Sequence, residues 1–83
     1  MSGADFENAN LFQANLIETH APNTNFSNAN LNMAFMTKAN LRGANFTRAN
    51  LASAAFVNAD VTDAIFDGAN MVAMILPDGS MNE

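Results

Sequence analysis

Apolar and polar positions recur along this chain with a period of five residues. Reading in fives from Ala4 gives fifteen consecutive pentads, ending at Asp78, without an insertion. The first position is Ala in twelve of them, and the third is Phe, Leu, Met or Val in fourteen. The second position is Asn or Asp in ten. This pattern predicts a repeat architecture in which each unit buries its apolar positions against its neighbours.

A period of five fits neither regular secondary structure. Five residues of α-helix turn by about 500°, so successive alanines would drift around the axis by about 140° and form no stripe. In a flat strand, an odd period sends alternate pentads to opposite faces. A chain that turns a corner in every pentad keeps its phase, and four corners close a coil whose stacked copies lie about 4.8 Å apart.

The third positions indicate four sides in each coil. Grouping them every four pentads puts four phenylalanines into one column, whereas a coil of three pentads would mix them with other residues. We expect these columns to form a core ladder along the bore. Its members are Phe6, Phe26, Phe46 and Phe66 on side one; Leu11, Leu31, Leu51 and Met71 on side two; and Leu16, Met36, Phe56 and Leu76 on side three, with Ala21, Leu41 and Val61 on side four.

The units read A-(D/N)-L-x-x, and in this the chain resembles the pentapeptide-repeat family. The resemblance covers residues 4–78 and implies an all-β fold, a right-handed parallel quadrilateral β-helix of about four coils. It departs from the pattern at second positions such as His20 and Phe35, and in the pentad 19–23. The family's functions are diverse, so the resemblance indicates the fold and leaves the activity open.

Composition limits the remaining possibilities. We expect one domain over residues 1–83, with repeats in 4–78 and a tail in 79–83. The absence of cysteine excludes disulfides and thiolate metal sites. No apolar run reaches the length of a membrane span, and the N-terminal residues lack the features of a signal peptide, which predicts a cytoplasmic protein. The net charge of −5 argues against direct binding to nucleic acid.

Catalytic and ligand-binding signals are weak. Asp60, Asp63 and Asp67 match no calcium-loop spacing, and a solvated acidic edge is the preferred interpretation. His20 is the single histidine, and no nucleophile accompanies it at a recognisable spacing. A bore filled by side chains leaves no pocket. We therefore predict that the protein is not an enzyme and uses no cofactor, metal or small-molecule substrate.

Several positions predict structural contacts. Asn10, Asn30, Asn50 and Asn70 recur at one-coil spacing and should stack as an amide ladder. Glu18 and Lys38 share a column and should form a surface ion pair. Gly43 and Gly68 occupy fifth positions, where a turn can require positive φ. Ala39 and Ala44 should be fully buried, because larger residues would overpack the bore.

Outward apolar residues are the feature that a repeat scaffold does not require. No outward position of side two carries a charge, and apolar residues point outward there and on side three. Soluble monomers seldom expose a continuous patch of this kind. We expect a candidate interaction face made by Phe12, Ile17, Met33, Phe35, Val57, Val72 and Ile75.

The ends of the coil stack differ. The first coil is expected to expose an open β-edge, which a partner, a second copy or a longer parent chain would cover. At the other end, Met74 replaces the small first-position alanine and Pro77-Asp78-Gly79 breaks the pattern. We expect Met74 to plug the last coil.

Two functions follow from these features. The first is a non-catalytic structural or interaction module, a rigid rod that presents its apolar face to a protein partner or to a second copy. The alternative comes from the resemblance, since quinolone-resistance pentapeptide-repeat proteins act as DNA mimics that inhibit gyrase, a type II topoisomerase. Here the acidic residues gather near the ends, while Lys38, Arg42 and Arg48 form a basic belt in the middle, which opposes mimicry of a phosphate backbone.

Overall fold

The fold is a stack of coils held together by isolated parallel bridges. The computed structural model describes residues 2–82, and within this range it contains no helix and no extended strand. Each parallel bridge joins second-position residues 20 positions apart, from Asp5–Asn25 at one end to Ala55–Ile75 at the other. One coil therefore takes four pentads, the repeat length that the phenylalanine column predicts.

Three backbone hydrogen bonds per pentad connect successive coils. In the first pentad, the Phe6 N–H donates to the Asn25 carbonyl at 2.7 Å and the Asn8 N–H to the Ser27 carbonyl at 2.9 Å. The Asn25 N–H donates back to the Ala4 carbonyl at 2.9 Å. The pattern recurs along the stack, so each inner coil is hydrogen-bonded on both of its edges, as buried backbone groups require.

Each pentad turns a corner at its fourth and fifth positions. The N–H of the next first-position residue closes the turn, as in Ala9 to the Phe6 carbonyl at 3.0 Å. Every fifth position from Gly3 to Ala73 has positive φ, including Gly43 and Gly68 at 68°, as expected, and Met33 at 60°. A closing i to i+3 bond with positive φ at the third residue is the pattern of a type II turn.

The bore is filled by the first and third positions. Ala39 and Ala44 are 1% and 0% exposed, which confirms their predicted burial. Phe26 and Phe46 stack in parallel with ring centroids 5.0 Å apart. The ladder residues of the inner coils are fully buried, namely Phe26, Phe46, Phe56, Leu31, Leu51 and Met36. Those nearer the ends are partly buried and pack against this core, namely Phe6, Leu11, Leu16, Phe66, Met71 and Leu76.

The C-terminal residues close one end of the stack. Met81 forms an antiparallel bridge with Ile75, and the Asn82 N–H donates to the Met74 carbonyl at 2.8 Å. Met74 is buried, as expected, but it does not close the end alone, because residues 79–82 fold back over the last coil. The predicted tail is thus part of the fold. Met1 and Glu83, the limits of the predicted domain, lie outside the described residues.

Candidate interaction face

The turns define which residues share a surface. Side three carries a column of second-position residues, Asn15, Phe35, Ala55 and Ile75, which are bridged to one another in succession. The corner before this side carries Phe12, Met33 and Val72, and the corner after it carries Ile17 and Val57. The predicted residues therefore belong to one side and its two flanking corners. We call these seven residues (Phe12, Ile17, Met33, Phe35, Val57, Val72 and Ile75) the apolar face.

Most of the apolar face is open to solvent. Phe12 is 49% exposed, Phe35 48% and Val72 61%, and Ile17 and Met33 are similarly exposed. Val57 and Ile75 are half-buried. Ile75 is itself part of the C-terminal hairpin, where it forms an antiparallel bridge with Met81. Ile65 on side one is also exposed, at 43%, but it lies outside the expected interaction face.

The second-position Asn and Asp residues cap the corners. The Oδ1 atom of Asn10 accepts the N–H of Phe12 at 3.2 Å, two residues ahead. The same bond forms in all ten pentads that carry Asn or Asp there. Asn10, Asn30, Asn50 and Asn70 stack in succession as expected, but only one of the three pairs joins its amides, Asn30 donating to Asn10 at 3.4 Å. A backbone N–H is a closer partner for each Oδ1 than the amide of the next coil, as in other Asx turns.

Side three lacks this cap in three of its four coils, and in two of them, at Phe35 and Ala55, a backbone N–H goes without it, since Pro77 after Ile75 has no N–H. Asn15 caps the Ile17 N–H at 3.1 Å, but Phe35, Ala55 and Ile75 have no side-chain oxygen to accept such a bond. Side two, by contrast, has Asn at all four second positions. The apolar face thus occupies the side where the local capping rule is most often broken. Departures of this kind without a local gain are expected at functional surfaces.

Charged side chains lie away from the centre of the apolar face. The expected ion pair between Glu18 and Lys38 is wrong, since the one ion pair among residues 2–82 joins Arg42 to Asp60 at 3.3 Å. Exposed long side chains gain little from pairing in water and lose rotamer freedom, so a shared column does not enforce contact. Arg48 instead donates from Nε to the Asn28 side chain at 3.1 Å.

The predicted acidic edge includes one well-bonded carboxylate. Hydrogen bonds from the Thr62 hydroxyl, at 2.6 Å, and the Thr62 N–H lower the pKa of Asp60. Desolvation opposes this pKa shift and Arg42 adds to it. Among residues 2–82, no group of three acidic or histidine side chains is arranged to hold a metal ion. His20 Nδ1 lies 3.1 Å from the Asn40 amide nitrogen on the next coil.

Neither a cavity nor a membrane-spanning element is found in the described part of the chain. No pocket opens among residues 2–82, because stacked side chains fill the bore. No helix there is long and apolar enough to cross a bilayer. The apolar face, with its exposed apolar side chains, is therefore the candidate functional site of the described surface.

Solved structures of similar proteins share the repeat. One is a pentapeptide repeat protein from the Arabidopsis thaliana thylakoid lumen, with 26% identity, a TM-score of 0.51, and coverage of 99% of this chain and 68% of that one. Another, from Nostoc PCC 7120, has 32% identity, a TM-score of 0.46, and coverage of 78% and 62%. HetL, from the same genus and involved in heterocyst differentiation regulation, has 28% identity, a TM-score of 0.35, and coverage of 98% and 42%.

This chain spans less than two thirds of the length of the two Nostoc proteins. A search among curated proteins gives no match. The family model for pentapeptide repeats matches residues 4–43 and 44–76, with eight copies. These two segments meet at a coil boundary and together include all but the last repeat residues. The chain therefore belongs to the pentapeptide-repeat family.

Proposed function

We propose that this protein is a non-catalytic interaction module, a rigid β-helix that presents the apolar face to a protein. The family to which it belongs consists generally of structural proteins without enzymatic activity. The occupant of the apolar face is a partner protein or a second copy. Nucleic acid is a poor candidate, because the net charge is −5 and the face carries no basic residue.

The observation that carries this proposal is the loss of caps on side three. Phe35 is 48% exposed at a position where Asn would satisfy a backbone N–H. A half-exposed aromatic ring there contributes less to the fold than the same ring in the bore. Contact with another protein gives the ring a role, since aromatic residues are enriched at interface centres.

The proposal takes the coil as right-handed and quadrilateral. Four turns per coil support a four-sided cross-section, as do two equal extents of 21 Å beside the longest, 28 Å. The right hand is the rule for parallel crossover connections built from L-residues. A four-sided coil makes side three a flat strip between two parallel corners, and such a strip suits a protein surface better than a small ligand.

The proposal is tested with two matched substitutions at second positions. Phe35→Ser removes an exposed apolar side chain from the apolar face, and Ile65→Ser removes one from side one, where exposure is 43%. Tagged wild type and both variants are incubated with host extract, and the bound proteins, including further copies of this chain, are quantified. We expect a bound protein that Phe35→Ser loses and Ile65→Ser keeps.

Equal retention by all three proteins would contradict the proposal. Circular dichroism and melting temperature of each variant show whether a loss of binding reflects unfolding. Because both substitutions replace an apolar residue that does not cap its corner, their effects on the fold should be similar.

A further inference from the structure

We infer that the occupant of the apolar face is a second copy of this chain, packed antiparallel on side three about a two-fold axis. This inference rests on the function proposed above. It goes further by naming the partner, the relative direction of the two rods and their register.

The central column alternates large and small residues in a self-complementary way. Phe35 in the second coil is followed by Ala55 in the third, and the two are bridged neighbours. A two-fold axis across the rod, midway between these coils, sets each Phe35 ring over Ala55 of the other copy. Isologous contacts of this type require that one patch be complementary to itself.

The flanking corner fits the same register. Met33, with 44% exposure, faces Ser53 of the other copy, and Asn32 faces Ala52. At the two ends, Phe12 of each copy meets Val72 of the other, so the two most exposed residues of this column flank the less exposed Asn32 and Ala52. Sides two and three both have four coils, and for this reason the axis falls between coils rather than through one.

Charge favours sides two and three over the other two sides, and of these only side three has apolar residues in its second-position column. Copies of a chain with net charge −5 repel one another on average. The column of side three and the corner before it contain no charged residue, so contact there adds no direct repulsion. At the far rim, Glu18 of one copy comes opposite Asp78 of the other. Added salt should therefore increase the dimer fraction, because it screens both the overall repulsion between the copies and the local repulsion between Glu18 and Asp78.

The size of the face predicts a weak dimer. Extents of 28 by 21 Å limit one face to about 600 Å², so two copies bury at most about 1,200 Å² in total, the lower end of the range for specific interfaces. We expect the dimer to form and dissociate in the micromolar to millimolar range, with the mass rising toward twice the monomer value as concentration increases.

The absence of cysteine from the sequence allows a clean test of direction and register. Gln13→Cys lies at the corner before side three in the first coil, and Ala73→Cys at the same corner in the fourth; neither belongs to the apolar face. The two single variants are mixed and treated with a short bis-maleimide. We expect the mixture to give a cross-linked pair and each variant alone to give at least tenfold less.

A control mixture combines Glu7→Cys and Asp67→Cys, which are also 60 residues apart but lie at the corner after side one. Because this corner is away from side three, the mixture should not cross-link. Linkage of Gln13→Cys to Glu18→Cys would instead indicate parallel rods and overturn the inference. A monomer at all concentrations would also overturn it. If extract still yields a different protein that Phe35→Ser loses, the proposed function stands while the second copy is excluded. If the dimer persists in Phe35→Ser, the second copy is excluded from the apolar face, and if extract also yields no protein that this variant loses, the proposed function fails as well.

Discussion

Pro22 lies two residues after the second-position residue His20. In pentads with Asn or Asp at the second position, the residue two ahead donates its backbone N–H to that side chain. The other proline, Pro77, stands in the same relation to Ile75. Proline has no N–H, so neither corner loses a bond when its second-position residue cannot accept one. Proline also suits the second residue of a turn, which is the place it occupies in both pentads. The two prolines thus occur where a cap is unnecessary.

Restoring a cap at position 55 should stabilise the fold. Ala55→Asn gives the Val57 N–H the acceptor that Asn50 gives Ala52 at 3.1 Å, and little buried apolar surface is lost. We expect the free energy of unfolding to rise by about 0.5–1.5 kcal/mol, the net value of one hydrogen bond. Urea titration at low protein concentration measures it.

The control for this change is Ala55→Leu, which adds bulk without an oxygen and should not stabilise the monomer. Ala55→Asn should also weaken the proposed dimer, because the amide fills the space that the Phe35 ring of the other copy occupies. If Ala55→Asn is more stable as a monomer yet associates less, then Ala55 contributes to the interface and not to the stability of the fold.

Overpacking the bore should be severe. Ala44 is 0% exposed and lies among the stacked third-position side chains. Ala44→Leu forces neighbouring coils apart, so we expect a loss of about 3 kcal/mol or more, at or above the usual range for overpacking. Ala52→Leu, at an outward corner of the same coil, is the matched control and should change the melting temperature little. An unchanged melting temperature for Ala44→Leu would show that first positions do not point inward.

Stability should fall as the pH drops through the acid range. The pKa values of Asp60 and Asp78 in the folded chain lie below their ordinary value of 3.8, mainly through hydroxyl hydrogen bonds from Thr62 and Ser80. A lowered pKa means that the unfolded chain binds more protons, so this stabilisation is present above pH 3.8 and is lost as the pH falls through the folded pKa.

Thr62→Val tests the cause of the shift at Asp60. Removing the hydroxyl should raise the pKa of Asp60, measured by NMR titration, and should reduce the acid-range slope of stability against pH. The pKa of Asp78, which depends on Ser80, should stay the same in this variant and serves as the internal control. A pKa of Asp60 that does not move would assign the effect to other groups.

Gyrase should not be inhibited by micromolar amounts of the protein. Arg42 and Arg48 are held in the middle of the rod by Asp60 and Asn28, which keeps positive charge where a DNA mimic needs a continuous acidic surface. A supercoiling assay, with an established mimic as positive control, measures this. Dose-dependent inhibition by the purified protein would favour the DNA-mimic alternative.

The sequence predicts the coil but not all of its contacts. Column composition indicates four pentads per coil because the narrow bore admits only certain residues, and Phe6, Phe26, Phe46 and Phe66 reveal its period. Outward side chains carry no comparable constraint. Glu18 and Lys38 share a column without pairing, and the choice of Asn10 between an amide neighbour and a backbone N–H depends on sub-ångström geometry that periodicity does not encode.

The repeat pattern does not predict the C-terminal hairpin either, because Met81, which pairs with Ile75, lies outside the repeat. A signal for it was present: Pro77-Asp78-Gly79 is a turn sequence, and the apolar Met81 follows it within hairpin distance. The sequence alone does not show whether a fourth-position residue belongs to the side before it or to the side after it. The turns in the structure are what group the apolar face on side three and its two corners.

The bridging interval of 20 residues has a consequence for how such a chain tolerates insertions and deletions. One pentad inserted between Gly43 and Ala44 would leave every downstream residue inside or outside as before. It would also rotate the later coils by one side, carrying Val57, Val72 and Ile75 a quarter-turn away from Phe12 and Phe35. The inward and outward pattern thus survives length changes of a single pentad, whereas the stacked phenylalanine column and a continuous outer surface permit only whole-coil changes.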